Sequence, residues 1–214
     1  MLEPKRVPDL VRCCRFCAPG PHEGGDGDGW GVRAEGSGDI LLQTRDQGAG
    51  TNSSDVTINS DVLSGSGNIT VSAGDDVYQR ANVISSRSNA GISGGTIFVR
   101  AANGTVDGVG LDGVIMSNGT VTRSHAGVVR LLAENESDLV LALLDTVDLD
   151  FAAGAVSLIA DRSIVDGAAS VTLLNVQSGR LRMVADSNNS GTGAIGASAT
   201  LNGQPDSNAN AINT

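Results

Sequence analysis

The residues best placed to do chemistry in this sequence are acids set among glycines. Asp107-Gly-Val-Gly-Leu-Asp112-Gly-Val-Ile115 matches the calcium-binding nonapeptide pattern at every defined position except its first glycine. Gly24-Gly-Asp-Gly-Asp-Gly29 begins the same pattern but has Gly29 where the ligand aspartate belongs. Carboxylate oxygens suit a hard divalent cation, and in such repeats consecutive turns share each ion. A lone copy brings half of the ligands, so the competing reading is a solvated acidic turn. Asp107 and Asp112 are therefore the candidate calcium ligands, and no other cofactor is expected. Asp145, Asp148 and Asp150 form a second acidic group, with Asp148 and Asp150 on one face of a strand. On a chain with 24 acidic and 14 basic side chains, exposed acids are ordinary.

Other chemistries find less support. Cys13, Cys14 and Cys17, with His22 beyond, make one cluster, whereas zinc sites pair two clusters across a loop. His125 stands in a turn two residues before Gly127, with no nucleophile and acid that the sequence places beside it. No catalytic residue is expected. Asn52, Asn68, Asn103, Asn118 and Asn135 head Asn-x-Ser/Thr triplets, which arise easily in a sequence so rich in Asn, Gly and Ser.

The elements that must carry these residues are announced by a repeat. Glycine, any residue, large aliphatic, any, large aliphatic, any, small returns six times. The copies start at Gly38, Gly67, Gly95, Gly127, Gly154 and Gly179, spaced 25 to 32 residues apart. A unit of this length signals a solenoid, propeller or array. Its two-residue alternation is that of a strand with one buried face. Between copies lie shorter β-like pieces, among them Val56-Thr-Ile58, Val62-Leu63, Val83-Ile84, Val114-Ile-Met116, Leu139-Val-Leu141 and Val171-Thr-Leu173. Clusters of Gly, Asn, Asp and Ser separate them, as turns require. Almost nothing reads as helix, and the aromatic signatures of propeller blades are missing. The predicted fold is all-β: a right-handed parallel β-helix of about six coils.

Coils that stack at about 4.8 Å bring equivalent positions into ladders. One inward ladder is expected from Ile40, Ile69, Ile97, Val129, Val156 and Leu181, and a second from Leu42, Val71, Val99, Leu131, Leu158 and Met183. Thr44 and then Ala73, Ala101, Ala133, Ala160 and Ala185 fill the corner, and each leading glycine is expected to permit a bend. Between the ladders, Gln43, Ser72 and Arg100 give way to Leu132, Ile159 and Val184. That makes an outward aliphatic stripe over the last three coils, either an interface or a surface covered by another segment. Residues 1–33 lack the repeat and read as a disordered or misassigned leader, and 34–214 as the repeat region.

Several segments carry a family resemblance: Gly65-Ser-Gly-Asn-Ile-Thr-Val-Ser-Ala-Gly-Asp-Asp-Val77, Asp112-Gly-Val-Ile-Met-Ser-Asn-Gly-Thr120, Gly154-Ala-Val-Ser-Leu-Ile-Ala-Asp-Arg-Ser-Ile-Val-Asp-Gly167 and Gly193-Ala-Ile-Gly-Ala197. Their phrasing resembles the filamentous-haemagglutinin-type repeats of very large bacterial surface proteins, including two-partner-secreted adhesins and giant planctomycete and proteobacterial exoproteins. Leu2-Glu-Pro-Lys5 is similar to the Leu-Glu-Pro-Arg element near the start of many planctomycete surface proteins. The resemblance covers residues 34–214. It implies a structural or adhesive segment, without catalysis, of a cell-surface or secreted protein. The implied partners are a host or neighbouring-cell surface or a polysaccharide matrix. The chain then reads as a fragment of a longer array whose open ends favour self-association.

Composition narrows the alternatives. A net charge of −10 argues against nucleic acid, which selects basic surfaces. Five aromatic residues disfavour base stacking and ring-lined pockets. No apolar run reaches the roughly 20 residues of a membrane-spanning helix, and no signal peptide is visible in Val7 to Cys17, which Pro8, Asp9, Arg12 and Arg15 interrupt. The competing functions are a polysaccharide-active β-helix enzyme, which needs two acids beside a sugar cleft, and a non-functional gene fragment.

Overall fold

The computed structural model describes residues 31–45, 54–85, 93–102, 112–146, 154–167, 174–176, 179–198, 200–201 and 204–205. The chain passes repeatedly through three sheets of six strands each, and every pairing within them is parallel. The glycine-led copies form the longest sheet: β2 (Ile40–Gln43), β5 (Ile69–Ala73), β8 (Ile97–Ala101), β11 (Val128–Ala133), β14 (Ala155–Ala160) and β17 (Arg180–Val184). A second sheet holds β3 (Val56–Ile58), β6 (Val77–Gln79), β9 (Gly113–Met116), β12 (Asp138–Leu141), β15 (Ile164–Asp166) and β18 (Ile195–Ser198). The third holds β1 (Val32–Ala34), β4 (Val62–Ser64), β7 (Val83–Ser85), β10 (Val121–Ser124), β13 (Leu143–Asp145) and β16 (Leu174–Asn175). A short antiparallel pair, β19 (Thr200–Leu201) and β20 (Gln204–Pro205), follows. No helix occurs among the described residues. This is a parallel β-helix, and β1 straddles the expected boundary at residues 33 and 34.

Both expected inward ladders pair in register. Ile69, Ile97, Val129 and Val156 are buried, as are Val71, Val99, Leu131 and Leu158, and the Ala73–Ala101–Ala133–Ala160 corner is closed to solvent. Leu42, Leu181 and Met183, on the edge strands β2 and β17, are only half-buried, since each has a ladder neighbour on one side only among the described residues. Aliphatic side chains stacked on their equivalents thus fill the bore without rings.

The leading glycines act differently from expectation. None has positive φ. The five after Gly38 instead sit where the coils touch: a Cβ on Gly67 would come 2.1 Å from the Gly38 carbonyl oxygen, and one on Gly95 2.4 Å from that of Gly67. Close approach of one backbone to the next excludes a side chain there.

Beside the glycines runs a buried serine ladder at the end of the third sheet. Ser64 Oγ donates to the Gly38 carbonyl (2.9 Å) and accepts from Gly67 N–H (2.9 Å). Ser85 repeats this with Gly67 (2.7 Å) and Gly95 (2.8 Å), and Ser124 donates to the Gly95 carbonyl (2.5 Å). Thr146 is the next rung by register, yet its buried Oγ1 has no hydrogen-bond partner among the described residues.

The corners close by a further device. A backbone N–H leaving one sheet for the next still needs an acceptor. Asn68 N–H donates to Asp39 Oδ1 of the preceding coil (2.7 Å), and Thr96 N–H to Asn68 Oδ1 (2.9 Å). At the entry to the third sheet, Asn82 N–H donates to Asp61 Oδ1 (2.9 Å) and Val121 N–H to Asn82 Oδ1 (3.0 Å). Asp and Asn in these turns are latches between coils.

The serine ladder yields a paired test. Ser85→Ala leaves a buried N–H and a carbonyl unpaired and should lower unfolding free energy by about 1–3 kcal/mol. Thr146→Val removes an unsatisfied hydroxyl at nearly constant shape and should be neutral or stabilising. Chemical denaturation of the two variants measures both.

Candidate functional site

The entry to the second sheet carries the same latches in acidic form. The register Val56–Val77–Val114 aligns Asp55, Asp76 and Gly113 in one column and Ser54, Asp75 and Asp112 in the column before it. Asp76 N–H donates to Asp55 Oδ1 (3.1 Å), and Gly113 N–H to Asp76 Oδ1 (2.6 Å). Stacking therefore gathers carboxylates: one oxygen from each of Asp55, Asp75 and Asp76 lies within 4.8 Å of the others. Asp75, Asp76 and Asp112 are all buried.

Of the two candidate calcium ligands, the structure places Asp112 beside Asp76, and Asp107 lies outside the described residues. Asp55, Asp75 and Asp76 went unmarked in the sequence because no local motif joins residues so far apart in the chain. The available signal was positional: Asp55 and Asp76 each precede the second-sheet strand of their coil.

Burial raises the Asp76 pKa most strongly. The Gly113 N–H opposes that shift, while the charges of Asp75, Asp112 and Asp55 add to it, and the carboxyl is pushed up to about 7. Tyr78 donates its hydroxyl to Asp76 Oδ2 (3.2 Å). One coil above Gly113 in this column stands Asp138, whose pKa burial also raises, against the Ser163 N–H and the Arg162 guanidinium 3.3 Å away. Arg162 continues the column held below by Asp75 and Asp112, so the upper corner brings its own countercharge.

Chemically, the lower corner can relieve its crowding by holding a proton on Asp76, and its donor set is of the kind a hard divalent cation takes. Asp55, Asp75 and Asp76 would be the ligands. Asp55 and Asp76 each have one oxygen already committed to an amide of the next coil, so these carboxylates have a structural role without an ion.

The other sequence candidates are accounted for singly. Asp145 accepts from Arg123 Nε (2.8 Å) and Asn175 Nδ2 (3.1 Å), while Asp148 and Asp150 lie outside the described residues. The His125 carbonyl accepts from Gly94 N–H (2.7 Å). The cysteines, His22 and Gly24–Gly29 lie outside the described residues. Leu132, Ile159 and Val184 do pair in the expected outward register, each half-buried. No helix of the described residues is long and apolar enough to cross a membrane.

The ladders and latches define the chain as a parallel β-helix protein. No protein-family model, curated protein or solved structure matches it.

Asp76 makes stability depend on pH with a definite sign. Its folded pKa of about 7 lies above the ordinary 3.8, so the folded state binds the proton more tightly. Stability is then greatest at low pH with respect to this group, falls between about pH 4 and 7, and is level above that. Asp76→Asn keeps the shape and an acceptor for Gly113. It should flatten that slope and exceed the parent at pH 8 by a few kcal/mol, matching it near pH 4, in urea denaturation at each pH.

Proposed function

We propose that this chain is a structural and adhesive β-solenoid segment of a bacterial cell-surface or secreted protein, and that it catalyses nothing. The observation that carries this reading is the parallel, in-register stacking of three six-stranded sheets, which shifts register only once, at Ile164/Val165 where β15 meets β18. Six coils at about 4.8 Å make a rod roughly 30 Å long, stiffened along its whole length by the ladders. Such a body supplies reach, and its regularly spaced outward side chains offer a repeated surface to a host or neighbouring cell or to a polysaccharide matrix. The resemblance of residues 34–214 to filamentous-haemagglutinin-type repeats supports the same reading. The buried acids at the second-sheet corner also favour a structural role, since coil-to-coil amides already occupy Asp55 and Asp76.

The test uses antibody raised against residues 34–214 on fractionated native cells, with and without protease treatment of the intact cells. The expected result is a surface or secreted band that external protease removes. A band confined to the cytoplasm and resistant to external protease would contradict the proposal.

A further inference from the structure

The outer face of the longest sheet carries similar triplets over its last three coils, cation, aliphatic and acid, with serine in the cation's place in the middle coil. Alternate residues read Arg130, Leu132, Glu134, then Ser157, Ile159, Asp161, then Arg182, Val184, Asp186. Strand register stacks them into columns: Arg130 pairs with Ser157 and Ser157 with Arg182, while Leu132 pairs with Ile159 and Ile159 with Val184. The face therefore has an edge with arginine in its first and last coils, an aliphatic centre and an acidic edge whose carboxylates also accept within the chain: Glu134 from Arg100, Asp161 from the Asn135 N–H and Ser187 Oγ, and Asp186 from the Gly191 N–H and Ser190 Oγ. Phe98 holds the Arg130 guanidinium, which lies 5.7 Å from the ring centroid. Arg100 and Glu134 pair with each other, whereas Arg130, Arg180 and Arg182 are exposed and form no ion pair among the described residues.

We infer that this face pairs with the same face of a second copy of the chain. A two-fold axis along the aliphatic column would reverse the order of the columns and leave the coils level. Leu132, Ile159 and Val184 would then meet their own equivalents. Arg182 would face Asp186 of the second copy, Arg130 the Arg100–Glu134 pair of that copy, and Ser157 its Asp161. A surface made of a central stripe flanked by opposite charges is complementary to itself, which is what a two-fold interface requires.

The charges on this face do not oppose its self-association. Two bodies each carrying −10 repel on average, but here the three unpaired arginines offset the acidic edge. The whole outer face of the sheet, six strands by about six residues, is on the order of 600 Å², of which the patterned last three coils make about half. That is less than the roughly 800 Å² per partner of a standard interface, so the dimer forms and dissociates with concentration. The inference does not depend on where the protein resides, and its failure would leave the proposed function untouched.

Sedimentation velocity of the purified full chain over a wide concentration range tests it. The wild type should show a monomer–dimer equilibrium. Ile159→Lys, which puts a charge at the centre of the stripe, and Arg182→Glu, which sets like charges against Asp186, should each raise the dissociation constant by about tenfold or more. Both sites point outward, and circular dichroism checks that each variant is folded. Thr57→Lys, on the exposed face of the second sheet, should change nothing. A wild type that stays monomeric would overturn the inference. So would association indifferent to both face variants, which would assign contact to the solenoid ends, or a Thr57→Lys variant that dissociates equally.

Discussion

A backbone amide that turns a corner has left one hydrogen-bond ladder without yet joining the next, and the rest of this structure depends on how that amide is satisfied. In this chain the acceptor is a side-chain oxygen of the coil before it: Asp39 then Asn68 at one corner, Asp55 then Asp76 at the second, and Asp61 then Asn82 at the third. Further up, Asp138 takes the Ser163 amide and Ser163 Oγ that of Ala194. Each latch holds the height and register of a coil at the point where its strand begins. Once register is fixed, side chains of one kind stack on their equivalents and a bore without rings can still be dry.

The same constraint explains why a chain with so many acids tolerates burying some of them. An aspartate that accepts an inter-coil amide replaces part of the hydration it loses, and a single residue serves both its own turn and the next coil. Stacking also has a cost. Where two acidic columns run side by side, at Asp55, Asp75, Asp76 and Asp112, burial and repulsion lift the pKa of Asp76. Higher in the stack Arg162 enters one of those columns and supplies the countercharge.

How much of this could be read from the sequence follows from which signals are local. The glycine-led strands were legible in all six copies because each contains its own alternation of apolar and variable residues. Several neighbours were not, and two of them show why. Val77-Tyr-Gln79 and Val121-Thr-Arg-Ser124 turn polar side chains inward: Gln79, Thr122 and Ser124 are buried, and Thr122 Oγ1 donates to Gln79 Oε1 across 3.0 Å. A hydrophobic pattern cannot report a strand whose inward positions are polar. The glycines were legible as markers but not in their role, since close contact between coils, not left-handed backbone, excludes a side chain at Gly67 and Gly95. At the acidic corner only Asp112 stood out, through a motif that stacking does not complete in the way a calcium roll would. The cluster itself depends on knowing which residues share a column.

Read as a rod, the molecule has ladders to keep it stiff inside and a patterned surface outside, with the corners joining the two. The most direct test of the corner account is native-state amide hydrogen exchange by NMR. If the latches hold the coils, the amides of Asn68, Thr96, Asp76, Gly113, Asn82 and Val121, at or beyond the ends of the strands, should exchange as slowly as core strand amides such as Val71 and Val99. Corner amides exchanging at the rate of unprotected loops, beside slow strand amides, would contradict it.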